Sequence, residues 1–313
     1  MGLSFIRKRR KKASSERSRK VNQKSVTAYL LLLPGLVFYV PFHVLPILAV
    51  FAISLVDWKG YSFATMKWAG LQNYATMLQD KYFWTALGHN IQFVLIVVVV
   101  QTVLSMALAL LLEQKLPLST FFRGIYFMPT VLSLVVVGIL FSLILSPSRG
   151  LLNATLEAVG LTNFQPAWLG NADIALYVLM AVHIWKDFGL SLFIFIAGLE
   201  AIPVDLIDAA KVDGASGWAV IWRVIIPLLR ETTTVVVILS TITCFKLFDL
   251  VMAMTGGGPF HATEVLALRM YDQAFDFSRM GYGSAIAVVL FIITFVASVL
   301  QSWLPARRGR VEY

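Results

Sequence analysis

The chain has 313 residues, of which 58% are apolar and 14% charged, and its mean hydropathy is +0.78. A water-soluble domain carries roughly 25% charged residues, so this composition excludes a soluble globular protein and makes lipid the solvent for most of the chain. The net charge of +9 collects in one tail, which argues against nucleic acid, and the single cysteine, Cys244, excludes an intrachain disulfide. No CxxC or Cys/His cluster points to a metal, and no cofactor is expected.

The charged tail, RKRRKKASSERSRK at 7–20, directly precedes an apolar run and reads as a positive-inside anchor. A cleaved signal peptide is not expected, because the run from Tyr29 continues past the usual length without an AxA-like site. A spanning helix needs about 20 mostly apolar residues. Such stretches lie at 28–55, 86–112, 121–145, 172–199, 232–254 and 281–303. Pro34, Pro41 and Pro46 predict a kink or break in the first, and Pro129 a bend in the third. Between spans, WKGYSFATMKWAGLQNYATMLQDKYFW suits an interface, SPSRGLLNATLEAVGLTNFQPAWLG a short helix between turns, and TGGGP a tight turn.

With the N-terminus inside, cytoplasmic segments carry eighteen Lys and Arg and outside segments six, which predicts cytoplasmic N- and C-termini. Segment 200–231 falls on the same side. Within it, DLIDAAKVDGASGWAVIWRVIIP (205–227) reads as helix, tight turn, helix. Pro203 and Asp205 suit a first turn, and Ala209 and Ala210 permit close approach of another surface. Gly214 supplies positive φ, while Trp218, Ile221, Trp222 and Ile225 share a face and Pro227 ends the second helix. An amphipathic pair resting on headgroups is the rival reading.

Asp208, Ala209, Ala210, Gly214, Val224, Ile226 and Pro227 stand at the spacing of the EAA loop, and here the chain resembles permease subunits of bacterial ATP-binding-cassette (ABC) importers. The family pattern has Glu at position 208, Ile at 224 and Leu at 226. AGLQNY, FFRGIYFMP, WK (185–186), AGLEAIP, FDLVMAMTGGGP and GYGSA extend the resemblance along nearly the whole chain, to the carbohydrate-uptake branch. The resemblance implies an all-α integral membrane fold of six transmembrane helices in the bacterial inner membrane. It divides the chain into a basic tail (1–27), a first helix with an interfacial segment (28–85), a type-1 permease core (86–303, coupling loop 200–230) and a C-terminal tail (304–313). The partners implied are a second permease, two ATP-binding subunits, an extracytoplasmic binding protein and a sugar. Asp208 to Pro227 become a coupling helix seated in an ATPase subunit.

Ionisable groups inside spans are costly and invite function: His183, Lys186 and Asp187 in the fourth stretch, Lys246 and Asp249 in the fifth. The simpler reading is that these groups pair with each other or snorkel to the interface, and Lys246 and Asp249, three apart, are spaced to pair along one helix. Trp185 matches a pocket tryptophan of the family, and an aromatic ring suits the apolar face of a sugar. Ser240, Thr243, Cys244 and Leu247 form a stripe that the resemblance turns toward the pathway, although packing between helices gives the same pattern. Gly256, Gly257, Gly258 and Pro259 are implied to face the binding protein. The chain lacks GxxxxGK[ST], so it is not expected to hydrolyse ATP. Other solutes, such as glycerol phosphate, and a stand-alone secondary transporter are the alternative readings.

Overall fold

The computed structural model describes residues 31–113, 119–148, 150–161 and 165–306. The basic tail 1–27 and residues 307–313 lie outside them, as do Lys115 and Arg149. Two units divide the chain, Met1–Ile53 and Ser54–Tyr313. In the first, helix α1 spans Leu31–Ile53. Its prolines do not break it; the backbone opens into a π turn at Val40–Val44 with Pro41 near the start. One extra residue in that turn accommodates the missing N–H and the proline ring.

The second unit opens with a hairpin that an all-helical reading does not anticipate. Strand β1 (Val56–Asp57) pairs antiparallel with β2 (Lys67–Trp68), Val56 opposite Trp68. Helix α2 (Gln72–Gln79) follows, and Asn73 Nδ2 ties it back to the carbonyls of Ser54 (2.9 Å) and Val56 (3.0 Å). Helix α3 (Lys81–Leu112) has 32 residues, or ~48 Å of rise, more than a hydrocarbon core requires. The third stretch is α4 (Ser119–Val131) and α5 (Leu134–Ile144), bent by 96°. Pro129 lies inside α4, and extended backbone at Ser133 restarts the chain as α5. Short α6 (Leu151–Ala158) leads to α7 (Ala175–Glu200).

Next come α8 (Val204–Val212), α9 (Gly217–Leu228) and α10 (Arg230–Phe245), with a 63° bend between α9 and α10. The fifth stretch is shorter than expected. Helix ends at Phe245, and α11 (Asp249–Met254) begins after a break at 246–248 and packs against α5. Lys246 and Asp249 therefore lie on either side of a break and form no ion pair. Helix α12 (Leu266–Tyr271), its π turn Asp272–Asp276 and α13 (Met280–Ala306) complete the chain. Four helices are long and apolar enough to cross a membrane among the described residues, six when each bent pair counts as one span.

Helix α7 is central, packing on α3, α4 and α10. Glycine makes two of these contacts close. A Cβ at Gly189 would run into the Tyr126 carbonyl and stand 2.7 Å from Thr130 Oγ1, and one at Gly198 would stand 2.5 Å from Thr232 Oγ1. Three apolar clusters fill the bundle. Phe93, Val97, Leu179, Leu247 and Leu250 share one, Leu112, Phe195, Leu199 and Leu229 a second, and Phe83, Leu266, Tyr282 and Ile286 a third. Arg123 bridges Glu113 (3.2 Å) and Glu200 (2.9 Å), joining the end of α3 to the end of α7. Asp80, before α3, accepts from Tyr282 at the start of α13 (2.5 Å). The two ends of the bundle are thereby defined.

Candidate functional site: a hairpin, a buried polar group and an opposite turn

The α8–α9 hairpin follows α7 at the Arg123 end. Asp205 occupies the first turn of α8 and Lys211 the last, the charges a helix dipole favours. Gly214 has φ +79. The Ala215 N–H reaches Ala210 O at 3.0 Å and the Gly214 N–H reaches Lys211 O at 3.0 Å, the bond pair of a Schellman cap. Ser216 then caps α9 by accepting from Ala219 N at 3.3 Å. The turn is therefore closed by its own backbone. Ile207, Ile225 and Leu228 attach the hairpin to the second apolar cluster.

The opposite face is bare. Trp218 and Trp222 pack edge to face at 5.7 Å yet stay 70% and 54% exposed, with Val204, Leu206 and Val212 also exposed. Asp208 and Ala209 are exposed, Ala210 is half-buried, and Gly214 and Pro227 are exposed. Asp208 Oδ1 pairs with Lys211 Nζ at 3.0 Å. Pro227 sits inside the last turn of α9, and the bend comes two residues later at Leu229.

Mid-bundle, the candidate residues separate into two sets. His183, Ser240, Cys244 and Leu247 are buried. His183 Nε2 stands 3.6 Å from Asp187 Oδ2 and 3.9 Å from Cys244 Sγ, and Lys186 Nζ pairs with Asp187 Oδ1 at 2.7 Å. Gln101 Nε2 donates to Ser191 Oγ (2.8 Å), Ser240 Oγ (3.3 Å) and Asp187 O (3.4 Å). Leu247 belongs to the apolar core instead. Thr243 is exposed and donates to Ser240 O at 2.9 Å. Trp185, also exposed, packs on Phe141 at 5.2 Å and lines an apolar cavity of about 540 Å³ with Leu104, Leu108, Ile184 and Phe188. Gln101 and Ser191 were not anticipated. A lone amide within VVVVQTVLS is the signal, since buried amides in spans link helices.

At the far end the Gly-Gly-Gly-Pro turn has Gly256 and Gly257 at φ +56 and +86, a cis Gly258–Pro259 bond, and Phe260 and His261 also at positive φ. Thr263 Oγ1 donates to Gly258 O at 2.7 Å, and Phe260 is 95% exposed. A charge chain anchors the turn. His261 Nδ1 lies 2.6 Å from Glu264 Oε2, Glu264 Oε1 accepts from Arg269 Nη1 at 3.0 Å, and Arg269 pairs with Asp80. Burial pushes the Asp80 carboxyl up, but hydrogen bonds from Tyr282 and Arg269 and the Arg269 charge outweigh it and hold the group below the usual carboxylate range. None of these four partners was singled out from sequence.

The family described as "Binding-protein-dependent transport system inner membrane component" matches residues 101–310. "Probable ABC transporter permease protein YurN" of Bacillus subtilis is 37% identical, covering 90% of this chain and 96% of its own. The "Multiple sugar-binding transport system permease protein MsmF" of Streptococcus mutans is 32% identical, covering 86% and 92%. A chain from the solved structure of a "bacterial alginate ABC transporter in complex with alginate pentasaccharide-bound periplasmic protein" has TM-score 0.81 at 20% identity, covering 94% of this chain and 99% of its own. The fold is shared with that chain, and the sequence matches make this multi-pass protein a member of the binding-protein-dependent transport system inner membrane component family, the permeases of ABC transporters.

Proposed function

We propose that the chain is the membrane-spanning permease of an ATP-driven importer that takes a sugar or oligosaccharide from an extracytoplasmic binding protein. A second permease completes the pore, two ATPase subunits hold the α8–α9 hairpins, and the termini and hairpin face the cytoplasm. ATP hydrolysis belongs to those subunits. Closure of the ATPases draws the hairpins together and opens the pore outward; hydrolysis returns it inward. The relatives named for sugars support the substrate class. Lys186 is neutralised by Asp187 at 2.7 Å, which leaves that part of the pathway without a free charge.

Trp185, Thr243 and the polar group around Asp187, with His183, Ser240 and Cys244 behind it, are assigned to the substrate pathway, and Leu247 packs beneath them. Gly256 to Pro259, with Phe260 projecting, is assigned to binding-protein docking.

One observation carries the reading most: a backbone-closed hairpin with a bare apolar face at one end of the bundle. Beyond its chain neighbours, no atom lies within 4 Å of where a Gly214 side chain would begin, so a substitution there acts through φ alone. Gly214→Val costs roughly 1–2 kcal/mol of backbone strain and should cut ATP-driven uptake at least tenfold while ATP turnover continues. Gly214→Asn, which tolerates positive φ, should keep most uptake. Equal uptake in Gly214→Val and parent proteoliposomes would refute the coupling role.

A further inference from the structure

Between the β1–β2 hairpin and the first turn of α13 lies a cleft of about 450 Å³, lined by Asp57, Lys59 and Arg279 beside the rings of Trp58, Tyr61 and Phe277. It sits at the Asp80–Tyr282 end of the bundle, away from the coupling hairpin, and shares no residue with the pathway around Trp185. Its walls are tied together. The Gly281 N–H donates to Trp58 O at 3.2 Å, the Tyr61 hydroxyl bonds Ser278 Oγ, and a side chain at Gly281 would strike the Val56 carbonyl. Ser278 holds φ +53, a conformation that non-glycine residues keep only where surroundings enforce it and that clusters at binding sites.

The volume falls in the roughly 300–1,000 Å³ range of small-molecule sites. Asp57 and Lys59 enter no ion pair among the described residues. Arg279 gives one bond to Gln273 Oε1 at 3.2 Å and lies 4.7 Å over the Tyr282 ring. Flat rings suit the C–H face of a pyranose, a free carboxylate accepts from vicinal hydroxyls, and the two cations donate to ring and hydroxyl oxygens. A phosphate headgroup would meet the same cations but also the Asp57 carboxylate, which repels it.

We propose that this cleft is a saccharide subsite at the extracytoplasmic end of the permease, holding a neutral sugar unit outside the membrane pathway. The proposal rests on the sugar-import reading and adds a second place where the chain touches its substrate.

The test uses the transport complex in nanodiscs, without binding protein for ligand-detected NMR and with it for ATP-driven uptake, with maltose, xylose and raffinose as probes. At least one probe should show saturation transfer that Asp57→Asn and Lys59→Gln each weaken about tenfold and that added salt leaves unchanged. Both side chains are exposed, so the variants fold. Signal unchanged in both variants, or no signal while uptake proceeds, overturns the subsite and leaves the importer reading standing. Neither signal nor uptake in the parent overturns both. An anionic-lipid site reverses the sign: Asp57→Asn would then retain more phosphatidylglycerol in native mass spectrometry, and that result also overturns the proposal.

Discussion

Asp80 divides its carboxylate between two tasks: Oδ1 accepts from Tyr82 N at 3.0 Å to cap α3, and Oδ2 takes Arg269 and Tyr282. Arg269 in turn neutralises Glu264, and both of their side chains are under 8% exposed. Arg269→Met takes from Asp80 and Glu264 the cation they share, and loss of one partner from a buried pair costs roughly 3–5 kcal/mol. The thermal midpoint of the purified protein should fall accordingly. Because the Asp80 carboxyl is held below its ordinary value, its contribution to stability is complete above about pH 4 and is lost as pH falls through the lower folded value. Asp80→Asn should remove that acid-side dependence, read as a midpoint measured against pH. None of this was legible in the sequence, since Arg269 and Asp80 stand 189 positions apart and local spacing says nothing about such a pair.

Helices α4 and α7 touch at Gly189, so its substitution tests how they pack. Gly189→Leu must push α4 off α7 or fail to fit; overpacking of this kind costs about 1–3 kcal/mol, and unfolding in mixed micelles should shift to lower SDS by that amount. An unshifted transition would mean the two helices are not held together. At this scale the sequence was partly readable. Helical periodicity and Gly214 marked the hairpin, because a left-handed turn demands a residue type that can be seen. Pro129 marked the bend of the third span for the same reason. The break at 246–248 falls in KLFDL, where neither proline nor glycine interrupts the apolar run, so hydropathy carried the fifth span through to Met254. The β1–β2 hairpin escaped because two residues per strand are too few for alternation to register.

In the intact transporter the bare face of the hairpin should be covered. Trp218→Asp with Trp222→Asp places two charges there without touching the bundle, and the chain purified from native membranes should then lose its ATPase companions in mass spectrometry while the second permease remains. Retention of the ATPases would show that they grip some other surface. The 63° bend at Leu229 bears on how force would travel from that contact. Hydrogen bonds run through it, from Leu229 N to Ile225 O at 2.9 Å and from Thr233 N to Leu229 O at 2.8 Å, and the Leu229 side chain is 1% exposed. The joint is therefore a stiff elbow rather than a hinge. Helix α9 is an arm ~18 Å long and α10 one of ~24 Å. A sideways push of ~3 Å at the tip of the first arm turns the elbow by ~10°, and the far end of the second arm sweeps ~4 Å. On the proposed coupling, a small stroke at the hairpin becomes a larger tilt of the helix beyond the elbow, the action of a bell crank.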